Sequence, residues 1–122
     1  MAARKTTEVE YDFDNWSEEA EEQAVQAAVP EVKHIIVEGT FVGRFSDGDI
    51  VKMPLKLSLA DADELTGQYE NQVDQFREMV RTVGGDAAVK QFVEHDIIEA
   101  VIMAEKFFRV INRVQQAAFP ES

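Results

Sequence analysis

The chain predicts an α+β fold: a short N-terminal helix and a β-hairpin followed by a small bundle of three to four helices. Three observations carry this. Residues 32–45 and 51–59 are β-branched, aromatic or alternating in pattern, and a turn stands between them. From residue 60 to 114 the apolar residues recur instead at three and four, the period of a helix with one buried stripe. The two patterns do not interleave, so strands come ahead of helices. At 122 residues the chain is one domain by length. We divide it into an acidic arm with a short helix (1–31) and a single small α+β domain (32–122), with the hairpin at 32–59 and the helices at 60–114.

The arm holds most of the charge. The whole chain carries a net charge of -12. Residues 1–31 have nine acids against Arg4 and Lys5, a balance of -7, and the remaining 91 residues have 15 acids and 10 bases. Such a surface repels phosphate backbones and anionic membranes, so neither nucleic acid nor membrane is an expected partner. Tyr11 and Phe13 alternate with acid and Trp16 follows, an acidic–aromatic spacing found in segments that dock onto other proteins. Ser17 is placed to cap a helix whose first turns hold Glu18, Glu19, Glu21 and Glu22, where the helix dipole favours acid. Val29-Pro30 closes it.

Residues 32–45 read as one strand, with Gly39 and Gly43 marking a bulge or bend. Ser46-Asp47-Gly48-Asp49 is a turn. The returning strand puts Val51, Met53, Leu55, Leu57 and Leu59 on one face, and Pro54 confines it to an edge or ends it. Ser58 caps a short helix through residues 61–65. Tyr69, Val73, Phe76, Val80 and Val83 form the stripe of the next helix, which stops at Gly84-Gly85. A further segment follows from Asp86, and Asp96 opens the last helix. That last helix is apolar on two sides. Ile97, Val101, Ala104, Phe108 and Ile111 are expected to face the core. Ile98, Ile102, Phe107, Val110 and Val114 are expected to contact a partner. Glu99, Lys106, Arg109 and Arg113 form the strip made for water, and residues 115–122 are expected to fray.

No constellation for catalysis emerges, and the chain reads as a non-enzyme without cofactor or metal. There is no cysteine, so no disulfide framework or thiolate site exists. His34 and His95 lie far apart, and His95 with Glu99 supplies two ligands where a metal needs a third. Asp47-Gly48-Asp49 lacks the ligand spacing and distal Glu of a calcium loop. Asp61, Asp63 and Glu64 suit a helix start. Gly84-Gly85-Asp86 lacks the Lys-Ser/Thr of a phosphate loop. Without a leader-like apolar segment, or a run near the roughly 20 residues that span a bilayer, the expected compartment is the cytoplasm.

The run Thr40-Phe-Val-Gly-Arg-Phe-Ser-Asp-Gly-Asp-Ile-Val-Lys-Met-Pro-Leu-Lys-Leu-Ser-Leu-Ala-Asp-Ala-Asp-Glu-Leu65 resembles the hairpin and helix start of tail assembly chaperones of long-tailed actinobacterial bacteriophages. The likeness covers roughly residues 40–114. It is one of organisation: an acidic lead-in, a hairpin ending in a Leu-rich strand, then apolar helices. It implies a non-catalytic protein in the host cytoplasm that keeps the helical tape-measure protein in solution and helps recruit tail-tube subunits, and it carries over no active-site residues. Self-association into a homo-oligomer fits the same reading. Two alternatives remain at this point. One is an acidic mimic of nucleic acid that inhibits a basic protein, which would bind in a salt-sensitive way through residues 1–31. The other is a structural head or tail component, which would be found in purified particles.

Overall fold

The structure, a computed structural model, describes residues 11–119. Its elements run α1 (Glu18–Ala28), β1 (Lys33–Val37), β2 (Thr40–Arg44), β3 (Ile50–Pro54), α2 (Leu59–Gln68), α3 (Gln72–Val93) and α4 (Ile97–Ala118). This is the α+β order that the sequence predicts. Tyr11, Phe13 and Trp16 precede α1 and are exposed. The Ser17 hydroxyl accepts from the Ala20 amide at 3.0 Å and so caps α1, a helix that buries none of its residues.

The single strand expected over 32–45 is two. Glu38 and Gly39 both adopt positive φ, 51° and 76°, and form a two-residue hairpin turn whose twist suits antiparallel partners. The sheet is therefore an antiparallel meander, β1-β2-β3, with Val37 opposite Thr40 and Thr40 opposite Pro54. Pro54 ends edge strand β3, where its missing N–H costs no ladder bond. Gly43 marks no bulge. It is buried where α4 crosses the sheet, and a Cβ there would meet Met103 Sδ at 2.3 Å.

The Ser58 hydroxyl accepts from the Asp61 amide at 3.0 Å at the start of α2. Asn71 caps α3 in the same way through Asp74, two residues past the predicted start. Gly85, at φ 80°, breaks the helical path of α3, as the Gly84-Gly85 pair predicts. The Asp96 carboxylate receives the Ile98 and Glu99 amides, and α4 continues to Ala118 where fraying was expected from residue 115.

The core lies between the sheet and the α3–α4 pair. A continuous series of ring contacts threads it: His34 on Phe41, Phe41 on Phe107, Phe107 on Phe76, Phe76 on Phe92, Phe92 on Phe45 and Phe45 on His95, with centroids 3.8 to 6.1 Å apart. Each such pair adds about 0.5–1.5 kcal/mol beyond the area it buries. The face that α4 turns to this core differs from the predicted one. Ala100, Met103, Ala104, Phe107 and Val110 are buried. Of the stripe expected to face inward only Ala104 is buried; Phe108 and Ile111 pack at its margin, and Ile97 and Val101 are exposed. The physical reason is close approach. Gly43 admits Met103, and the small Ala100 and Ala104 let α4 lie against its neighbours, which rotates the branched residues outward.

Glu99 is likewise the reverse of expectation. Predicted to face water, it is buried, and its carboxylate accepts from the Ser46 amide at 2.9 Å and the Ser46 hydroxyl at 2.8 Å. It ties the β2–β3 turn to the first turn of α4.

Candidate functional site

The rotation of α4 leaves an apolar groove at the α3–α4 junction. Val93, at the end of α3, and Ile97 and Val101, on the first turns of α4, stand exposed together, Ile97 at 63%. They border a groove of about 660 Å³ whose other wall is the start of α3, with Val73 inside and Asn71, Asp74 and Arg77 at the polar rim. Asp74 and Arg77 form an ion pair there. Three exposed β-branched side chains beside a long cleft are an arrangement that accepts the apolar face of another helix.

The residues expected to bind a partner divide. Ile98 and Val114 are exposed on α4, and Tyr11, Phe13 and Trp16 are exposed in the arm, where they line a recess of their own. The Trp16 indole N–H donates to Glu21 at 3.2 Å, which places the ring beside α1. Ile102 is partly buried against the core. Phe107 and Val110 are buried, Phe107 at 0% exposure, so their placement on a contact surface is corrected. Phe107 meets Phe41, Phe76 and Phe108 edge-on or tilted, and no partner can reach it without dismantling the core.

Two features escaped the sequence reading. Ile97 and Val101, expected to face the core, are exposed, while Met103 seated against Gly43 marks the inward side of α4. The second is edge strand β1, on which Ile35, Ile36 and Val37 are all exposed although they alternate sides. Among the described residues no strand pairs with the outer side of β1, and such an apolar edge is a ready template for pairing with another chain. Three apolar residues in a row, rather than an alternation, were the available signal.

His34, on the inner side of β1, is held below its ordinary pKa of 6.5, first by burial and then by the positive charges of Lys106, Arg109 and Arg113 on α4. These cations give the middle and C-terminal part of α4 a basic character that the chain's overall charge conceals. Among the described residues no helix is long and apolar enough to cross a membrane. Compared with protein-family models, curated proteins and solved structures, the chain gives no match.

Proposed function

We propose that this protein is a non-catalytic assembly chaperone of the phage-tail kind, which holds an apolar helix of a long tape-measure protein in the α3–α4 groove. The observation that carries the reading is the exposed set Val93, Ile97 and Val101 along that groove. A client helix would bury these side chains and Val73, and fully covering a branched side chain is worth about 1.5–3 kcal/mol. The negative charge supports the same role, since it keeps a protein with an open apolar cleft from collecting on itself. The exposed β1 edge and the aromatic arm offer additional contacts, for a tail-tube subunit or a second copy.

The test joins two exposed substitutions, Ile97→Glu and Val101→Glu, with calorimetric binding of peptides tiled across a long helical tape-measure protein. The wild type is expected to capture a subset of apolar helical peptides, and the double variant to lose them while keeping its thermal transition. Equal binding by both proteins, or a monomeric wild type that captures none of the peptides, would sink the reading.

A further inference from the structure

A different cluster lies where the β2–β3 turn meets the α3–α4 junction. Asp47 and Asp49 come from the turn and His95 from the junction. His95 Nε2 lies 3.1 Å from Asp47 Oδ2 and 3.0 Å from Asp49 Oδ2, and the three groups can bring one ligand atom each within 4.8 Å of one another. The imidazole is held rather than loose. Its ring stacks on Phe45 with centroids 3.8 Å apart and an angle of 14°, and its side chain is only 7% exposed. Nδ1 lies 3.3 Å from the Phe92 carbonyl oxygen, a group that can only accept, so the Nδ1 proton is directed there. In the neutral ring this leaves the lone pair on Nε2, aimed at two carboxylates.

Two anions and a lone pair converging on one space need a positive charge between them. Nε2 is buried without a hydrogen-bond partner, although both carboxylates lie within ion-pair distance. An ion suits the same positions. Ligand atoms bound at about 2.0–2.2 Å to one metal stand roughly 3–3.5 Å from each other; the two carboxylate oxygens lie 3.1 and 3.0 Å from Nε2, and all three atoms fall within 4.8 Å of one another. A ligating histidine also characteristically donates its other N–H to a carbonyl, which fixes ring and tautomer, and Phe92 supplies that carbonyl. Asp47 is preset too: its Oδ1 accepts from the Asp49 amide at 2.9 Å, which leaves Oδ2 for the ion. One nitrogen and two carboxylates form too small and too nitrogenous a set for calcium, which takes six to eight oxygens. They suit a borderline first-row cation.

We infer that Asp47, Asp49 and His95 bind a divalent first-row transition ion of the zinc class, with water completing its shell. Such an ion staples the β2–β3 turn to the α3–α4 junction, beside the Glu99–Ser46 link. His95 also lines the groove proposed for the client, but Asp47 and Asp49 do not, so their variants separate a failure of this site from a failure of that one.

The test uses the full chain, stripped with a chelator and titrated with zinc sulfate near neutral pH. The readouts are calorimetry, thermal unfolding and the ring nitrogen signals of His95. The expected result is saturation at one ion per chain, a higher transition temperature and a shifted Nε2 signal, with magnesium producing none of these. Asp47→Asn with Asp49→Asn keeps the turn's amide acceptor on an exposed loop, so it leaves the fold intact. It is expected to weaken binding by at least about tenfold. His95→Gln should lose binding as well, with circular dichroism confirming that it folds. An unmoved His95 signal in excess zinc overturns the site and leaves an ion pair. So does undiminished binding by the double variant, which would put the ion elsewhere.

Discussion

His34 shows how a single residue couples the fold to pH. Its ring stacks on Phe41 at 5.1 Å, and burial together with Lys106, Arg109 and Arg113 lowers its pKa from 6.5. The folded chain thus resists a proton that the unfolded chain accepts. For a group lowered in this way the stabilisation is present above the unfolded value and is lost as pH falls through the folded one. Denaturant unfolding of wild type and His34→Gln between about pH 7.5 and 5.5 isolates this group, since its ordinary value falls in that window. Relative to the variant, the wild type is expected to lose stability on acidification. Parallel curves would show that the ring is solvated in both states. Gly43 illustrates a residue effect of another kind. It contributes an absence, the missing Cβ that lets Met103 sit against the sheet.

At the scale of elements, the contact between the β2–β3 turn and α4 is polar where most of the interface is apolar. Glu99 supplies one acceptor oxygen to the Ser46 amide and the other to its hydroxyl. Glu99→Ala would remove both hydrogen bonds from a part-buried site, and such bonds contribute about 0.5–1.5 kcal/mol each. The expected outcome is a loss of that size in denaturant unfolding, with Ser46→Ala losing less because the amide bond survives. An Ala variant as stable as wild type would mean that water replaces the carboxylate without loss. The helix itself was legible in the sequence, through its N-cap Asp96 and its apolar width. Its phase was not. When apolar residues cover most of a helix's circumference, periodicity finds the helix and leaves its rotation open. What stands opposite then decides it, here Gly43, whose missing Cβ receives Met103.

Across the whole molecule, α1 stands apart from the cooperative core. It buries none of its residues, and Val25 and Val29 are exposed. A proline at Ala24 breaks a helix interior, so Ala24→Pro is expected to reduce the helical dichroism signal. The main transition should shift by less than about 2 °C, as surface changes remote from a core do. A larger shift would show that α1 docks on the remainder of the chain. The core elements behave otherwise, because the ring series from His34 to His95 passes through β1, β2, α3 and α4 and ends at the α3–α4 junction.

By itself the sequence determined the α+β order, the caps at Ser17, Ser58 and Asp96, the turn at Ser46–Asp49 and the break at Gly84-Gly85. Each of these is a local property, set by one residue's φ preference or by a side chain within three positions of the amide it satisfies. Only the tertiary structure decided which side of α4 is core, that 32–45 folds back on itself at Glu38-Gly39, and that Ile97 and Val101 border a groove. It alone brought Asp47 and Asp49 to His95, residues that sequence reading treated as a plain turn and an isolated histidine. Those outcomes depend on what stands opposite in space. A missing Cβ on one strand selects the rotation of a helix far along the chain, and that rotation settles which apolar residues remain for a partner.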